Sequence, residues 1–142
     1  MITARRMAVI SVLLLLAFIY ATADPAPACM PRRQVVPVPF EHVPSILLQS
    51  LKERLGEIAA PGASFNATDT FWFENVPNRR FIFFWTAGRL WVVAAEQGGF
   101  AYNNPIFLYD LGDDEGKADL IAEKVAFPST ACVVASNLIA AP

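Results

Sequence analysis

Residues 80–97 read RFIFFWTAGRLWVVAAEQ, and this stretch decides the fold. Two runs rich in aromatic and β-branched residues flank Ala87-Gly88-Arg89, the pattern of two antiparallel strands joined by a tight turn. A two-residue turn at Ala87-Gly88 sets Trp85 opposite Leu90, Phe83 opposite Val92 and Phe81 opposite Ala94. A turn at Gly88-Arg89 slides the register by two but leaves each side chain on its face. One face then carries Phe81, Phe83, Trp85, Leu90, Val92 and Ala94, and the other Ile82, Phe84, Trp91, Val93 and Ala95. An antiparallel sheet with one wet face alternates apolar with polar residues, and this hairpin does not. Both faces need cover. The chain's own helices and arm have the material to supply it. Any part of the Ile82, Phe84, Trp91 and Val93 face left open is the candidate contact surface for a partner protein, a second copy or a small apolar ligand.

Working outward, Thr70–Asn75 and Phe100–Leu111 have the same strand composition, with turns at Val76-Pro77-Asn78 and Gly98-Gly99. Short connections make neighbours antiparallel, so the region predicts a meander of about four strands. Before it, Leu48, Leu51, Leu55 and Ile58 form a helical stripe over Ser45–Ile58, with Ser45 placed to cap the start and Pro61-Gly62 stopping continuation. After it, the Gly112–Gly116 turn (GDDEG) leads into a second expected helix over about Asp114–Ala126. Ala131–Ala135 then reads as an optional fifth, C-terminal strand. The fold class is α+β: an antiparallel meander packed with two helices. A helix followed by a four-stranded meander resembles cystatin-like small inhibitor modules, a likeness of element order without signature residues.

The N-terminus has the layout of a cleavable export signal. Arg5 and Arg6 precede an apolar run from Met7 to Tyr20, and Ala21-Thr22-Ala23 supplies the small residues at a cleavage site. The run is shorter than the ~20 residues of a spanning helix, which favours cleavage over anchoring. The expected organisation is a signal peptide over 1–23, a proline-rich extended arm over 24–44 and one α+β domain over 45–142, with the product secreted or periplasmic. Removing 1–23 takes away two arginines and leaves 9 basic against 13 acidic residues, a net charge of −4. That balance argues against nucleic-acid binding. Cys29 and Cys132 are the only cysteines, and in an oxidising compartment they predict one disulfide. A lipid on Cys29 is the alternative, and this or an uncleaved leader would be the chain's only membrane contact.

Catalytic groups are scarce. His42 is the single histidine, lies in the arm, and has no Gly-x-Ser-x-Gly elbow to serve. Asp110, Asp113, Asp114 and Glu115 do not fit a calcium loop, because counting from Asp110 puts Glu115 where glycine is needed and Ile121 where glutamate is needed. One histidine and two distant cysteines lack zinc spacing. Asn66-Ala67-Thr68 matches a glycosylation triplet, relevant only in a eukaryotic source. No catalytic, cofactor or metal residue is assigned. The expectation is an exported non-enzymatic binding protein, of the inhibitor, immunity or envelope-associated kind, acting through the aromatic sheet. The alternatives are a carrier of a small apolar ligand and a small carboxylate- or cysteine-dependent hydrolase.

Overall fold

The computed structural model describes residues 34–68, 75–113 and 116–140. The expected signal peptide, Cys29 and most of the strand expected at Thr70–Asn75 lie outside them. Five strands form one sheet: β1 (Val36–Val38), β2 (Arg79–Ala87), β3 (Leu90–Gln97), β4 (Asn104–Asp110) and β5 (Asp119–Ala126). Their spatial order equals their chain order and every neighbouring pair is antiparallel, so the sheet is a pure meander. Helix α1 (Ser45–Leu55) covers one face and helix α2 (Ala131–Ala140) the other. The chain is α+β with a five-stranded antiparallel sheet and two helices.

The two-faced hairpin explains this layering. Leu47 and Leu51 of α1, with Val43, pack on Phe81, Phe84, Trp91, Val93, Ala95, Phe107 and Tyr109. Ala131, Ala135 and Ile139 of α2 pack on Trp85, Val92, Ala94, Ile106 and Leu108. Each helix thus removes from water an apolar surface that a single-layered sheet would leave wet. Helix α1 ends where Gly56 takes a φ of 75° and donates its N–H to the Lys52 carbonyl at 2.8 Å. It is three residues shorter than the periodicity predicts, Ile58 falling beyond it. Ser45 is its first helical residue and does not cap it; Pro44 holds the N-cap position without a side-chain bond.

The register sharpens the hairpin. Ala87 pairs with Leu90, so Gly88-Arg89 is the turn, and Gly88 has the positive φ of 62° that the first central position of a type II′ turn requires. Phe83, Trp85, Val92 and Ala94 share one face, and Phe84, Trp91, Val93 and Ala95 the other, as expected. The expectation fails N-terminal to Phe83. Phe81 pairs with Ala95 while Phe83 pairs with Ala94, leaving Ile82 as an extra residue in a bulge. The bulge turns Phe81 to the α1 side, 4.9 Å from the Phe84 ring, and pushes Ile82 outward.

The last two elements exchange the expected roles. Residues 119–126 form β5 rather than a helix, and 131–140 form α2 rather than a strand over 131–135. Pairing of β5 with the edge of β4 satisfies backbone groups that a helix there would leave open. Ala131, Ala135 and Ile139 recur every four residues and so bury one helical face, and the uncovered sheet beneath outweighs the strand preference of Val133-Val134. The exposed pair Arg54–Glu123 ties α1 to β5.

A polar knot closes the far end of the sheet. Buried Glu96 accepts from Arg80 Nε at 2.5 Å and from the Tyr102 hydroxyl. Arg80 also donates to the Ala63 carbonyl at 2.9 Å, and its guanidinium lies 4.4 Å from the centre of the Phe65 ring. Burial, then the bond to Glu96, pushes the Tyr102 phenol up to about 12, and burial also raises Tyr109. A phenol raised in the folded state contributes stability that is complete below pH ~10 and is lost as pH climbs through the folded value. Absorbance titration of the folded domain is therefore expected to show no phenolate near pH 10, and Tyr102→Phe to flatten the fall in stability between about pH 10 and 12. A tyrosine ionising at pH 10 in the folded domain contradicts this account of the knot.

Candidate functional site

The four residues expected to form a contact surface separate. Phe84 (2% exposed), Trp91 (9%) and Val93 (0%) do share a face, but α1 lies on it and they belong to the core. They are not a docking surface. Ile82, at 36% exposure, alone reaches solvent, because the bulge takes it out of the alternation. Cover of the second face is intramolecular.

Ile82 sits in a notch along the outer edge of β2. β1 pairs with Phe84, Trp85 and Thr86. Further along, the Ala59 N–H donates to the Arg79 carbonyl and the Phe81 N–H to the Ala59 carbonyl, each at 2.9 Å. Ile82 and Phe83 lie between these two attachments. There the surface opens into a groove of about 470 Å3, walled by Pro37, Pro39 and Phe40 on one side and Pro61 on the other. The sequence explains the walls. Pro37 and Pro39 keep the arm extended and deny it donors, which restricts β1 to a short edge strand. Phe40 is anchored by Phe81 and Phe84, with ring centres 5.9 and 5.8 Å away.

Glu41 is the one ionisable residue lining the groove, so no acid–base pair or nucleophile converges there. The remaining lining is proline, alanine, valine, isoleucine and phenylalanine, suited to apolar contact. His42 lies exposed beyond Glu41 in a single 3-10 turn. Asp110 is occupied by Arg89 at 3.0 Å and by the Gly112 N–H at 2.8 Å, consistent with a turn-forming acid. Among the described residues no three histidine, cysteine or acidic side chains group as metal ligands would, and no helix is long and apolar enough to cross a membrane. Cys132 is half-buried on α2, facing the cluster beneath that helix.

Sequence reasoning singled out Ile82 and Phe84, which both line the groove, but not the proline and Phe40 walls. The available signal was the apolar series Val35, Val36, Val38 and Phe40 within the arm, which suits a segment lying against the body. No family model matches the chain, and neither a curated protein nor a solved structure is similar to it.

Proposed function

We propose that the mature chain is an exported, non-enzymatic binding protein that receives an apolar segment of a partner protein in the groove beside Ile82. The observation that carries this reading is the groove itself: an open apolar notch beside a bulge, lined by one charged group and held on proline walls. Bulges re-aim side chains at functional edges, and prolines hold a binding wall at low conformational cost. The expected export signal and the even number of cysteines support an extracytoplasmic place of action. Glu41 at the rim would favour a basic residue next to the partner's apolar one.

A photoreactive side chain placed at Ile82 in the exported protein tests the reading. The expected result is a discrete protein adduct from position 82 and none from the exposed Val133 on the opposite side of the sheet. No adduct at 82, or the same adducts from both positions, overturns it. Ile82→Asp is expected to weaken capture by tenfold or more while leaving the unfolding midpoint nearly unchanged, since the side chain it replaces is at the surface. The groove volume also falls within the range of small-ligand sites, which favours an apolar-ligand carrier as the second reading. Native mass spectrometry that finds a small molecule retained by the wild type and lost from Ile82→Asp would select that reading instead.

A further inference from the structure

We infer that the outer edge of β5 pairs with β5 of a second copy of this chain, antiparallel about Glu123, so that the two sheets join into one. The inference uses no part of the groove, which lies toward the other end of the strand order.

The two edges of the sheet differ. β1 has three residues, and Pro37 within it and Pro39 after it offer no N–H to a further strand. β5 has eight residues and no proline, and among the described residues it pairs only with β4. Its outer edge is a template on which another strand docks through main-chain hydrogen bonds. Ile121 and Val125 stand along it with 52% and 67% exposure.

Charge and symmetry select the strand that fits. Glu123 stands opposite Phe107 and Val125 opposite Pro105, so both point to the side that α1 covers, where Glu123 meets Arg54. Ile121 precedes Glu123 by two residues and shares that side. The order apolar, acidic, apolar reads the same in both directions. A two-fold axis at Glu123 therefore sets Ile121 against the partner's Val125 and Val125 against the partner's Ile121. The two Glu123 carboxylates meet between two Arg54 guanidiniums, a cluster of balanced charge. On the α2 side Lys124 faces the partner's Ala122. An axis at Lys124 would instead oppose two lysines that have no ion pair among the described residues. A lysine on an edge strand deters pairing in the wrong register, and here it leaves the register about Glu123 open. Because prolines block the β1 edge and the pairing is isologous, assembly stops at two copies.

Sedimentation equilibrium and methyl NMR on the exported protein test this. A dimer with a Kd below about 1 mM is expected, weak because pairing of one strand buries little area. Mixing one batch labelled only at isoleucine methyls with another labelled only at valine methyls makes every Ile–Val NOE intermolecular. A cross-peak between Ile121 and Val125 is expected. Val125→Glu is expected to weaken dimerisation at least about tenfold with a nearly unchanged unfolding midpoint, since it replaces a surface side chain. Arg54→Glu is expected to weaken it by about as much, and adding Glu123→Arg to that variant to restore it. A monomer at about 1 mM, a dimer without the Ile121–Val125 cross-peak, a dimer indifferent to Val125→Glu, or a charge exchange that does not restore pairing overturns the inference. Adduct formation at position 82 stands or falls separately, because Ile82 lies on β2 and not on this edge.

Discussion

Gly98→Ala is expected to destabilise the domain by about 3 kcal/mol or more, a large fraction of the ~5–15 kcal/mol that holds a typical domain folded. A methyl group added there would stand 2.0 Å from the Asn66 carbonyl oxygen, 2.8 Å from the Ala67 α-carbon and 2.9 Å from the Ala67 carbonyl carbon. All three are backbone atoms, so no rotamer change relieves the overlap. The segment through Asn66 and Ala67 would have to lift from the end of the sheet. That movement would break the Gly99 N–H bond to the Ala67 carbonyl and disturb the neighbouring contacts of Arg80 with Ala63 and Phe65. Gly116→Ala is the control: nothing lies within 4 Å of its added carbon, and a change within about 0.5 kcal/mol is expected. Denaturant melts of the two variants check the pair, and equal midpoints would contradict the close approach.

Trp85→Ala is expected to cost about 3–5 kcal/mol. Trp85 is almost completely buried between the sheet and α2, and its ring stacks on Phe83 with centroids 4.2 Å apart. Truncation leaves a cavity in the cluster beneath α2, where the buried Ala131 and Ala135 are too small to fill it. Phe83→Ala should cost less, because Phe83 is only partly buried. The ranking, read from unfolding midpoints, tests whether α2 is a true structural layer. If Trp85→Ala is near neutral, the second face is not covered in this way.

The central hairpin was legible because its composition leaves little choice. Alternation of Trp91 and Val93 against Val92 and Ala94 places two apolar faces on one sheet and so demands three layers. The bulge was not legible. Phe81 to Phe84 are four consecutive apolar residues, and no polar residue among them marks which one leaves the alternation. The candidate site depended on that detail, since the bulge separates Ile82 from Phe84, Trp91 and Val93. The exchange of strand and helix near the C-terminus has a similar origin. Leu120, Ile121 and Val125 fit a helical stripe as well as a strand, and a second bulge at Ile121 further blurs the alternation. The pairing that decides the matter is with β4, which local sequence does not show. Ala131, Ala135 and Ile139 did carry a four-residue period, masked by the β-branched Val133-Val134 between them.

These corrections move the functional question from the sheet face to the sheet edge. The proposed contact surface is one isoleucine in a proline-walled notch. The most direct measurement of that claim is methyl NMR of the oxidised domain with a soluble gadolinium chelate as a probe of solvent access. Strong relaxation of the Ile82 methyls is expected, with the Val92 and Val93 methyls, buried on opposite faces, left unaffected. Val93 relaxing as strongly as Ile82 would contradict it, because the face beneath α1 would then be open.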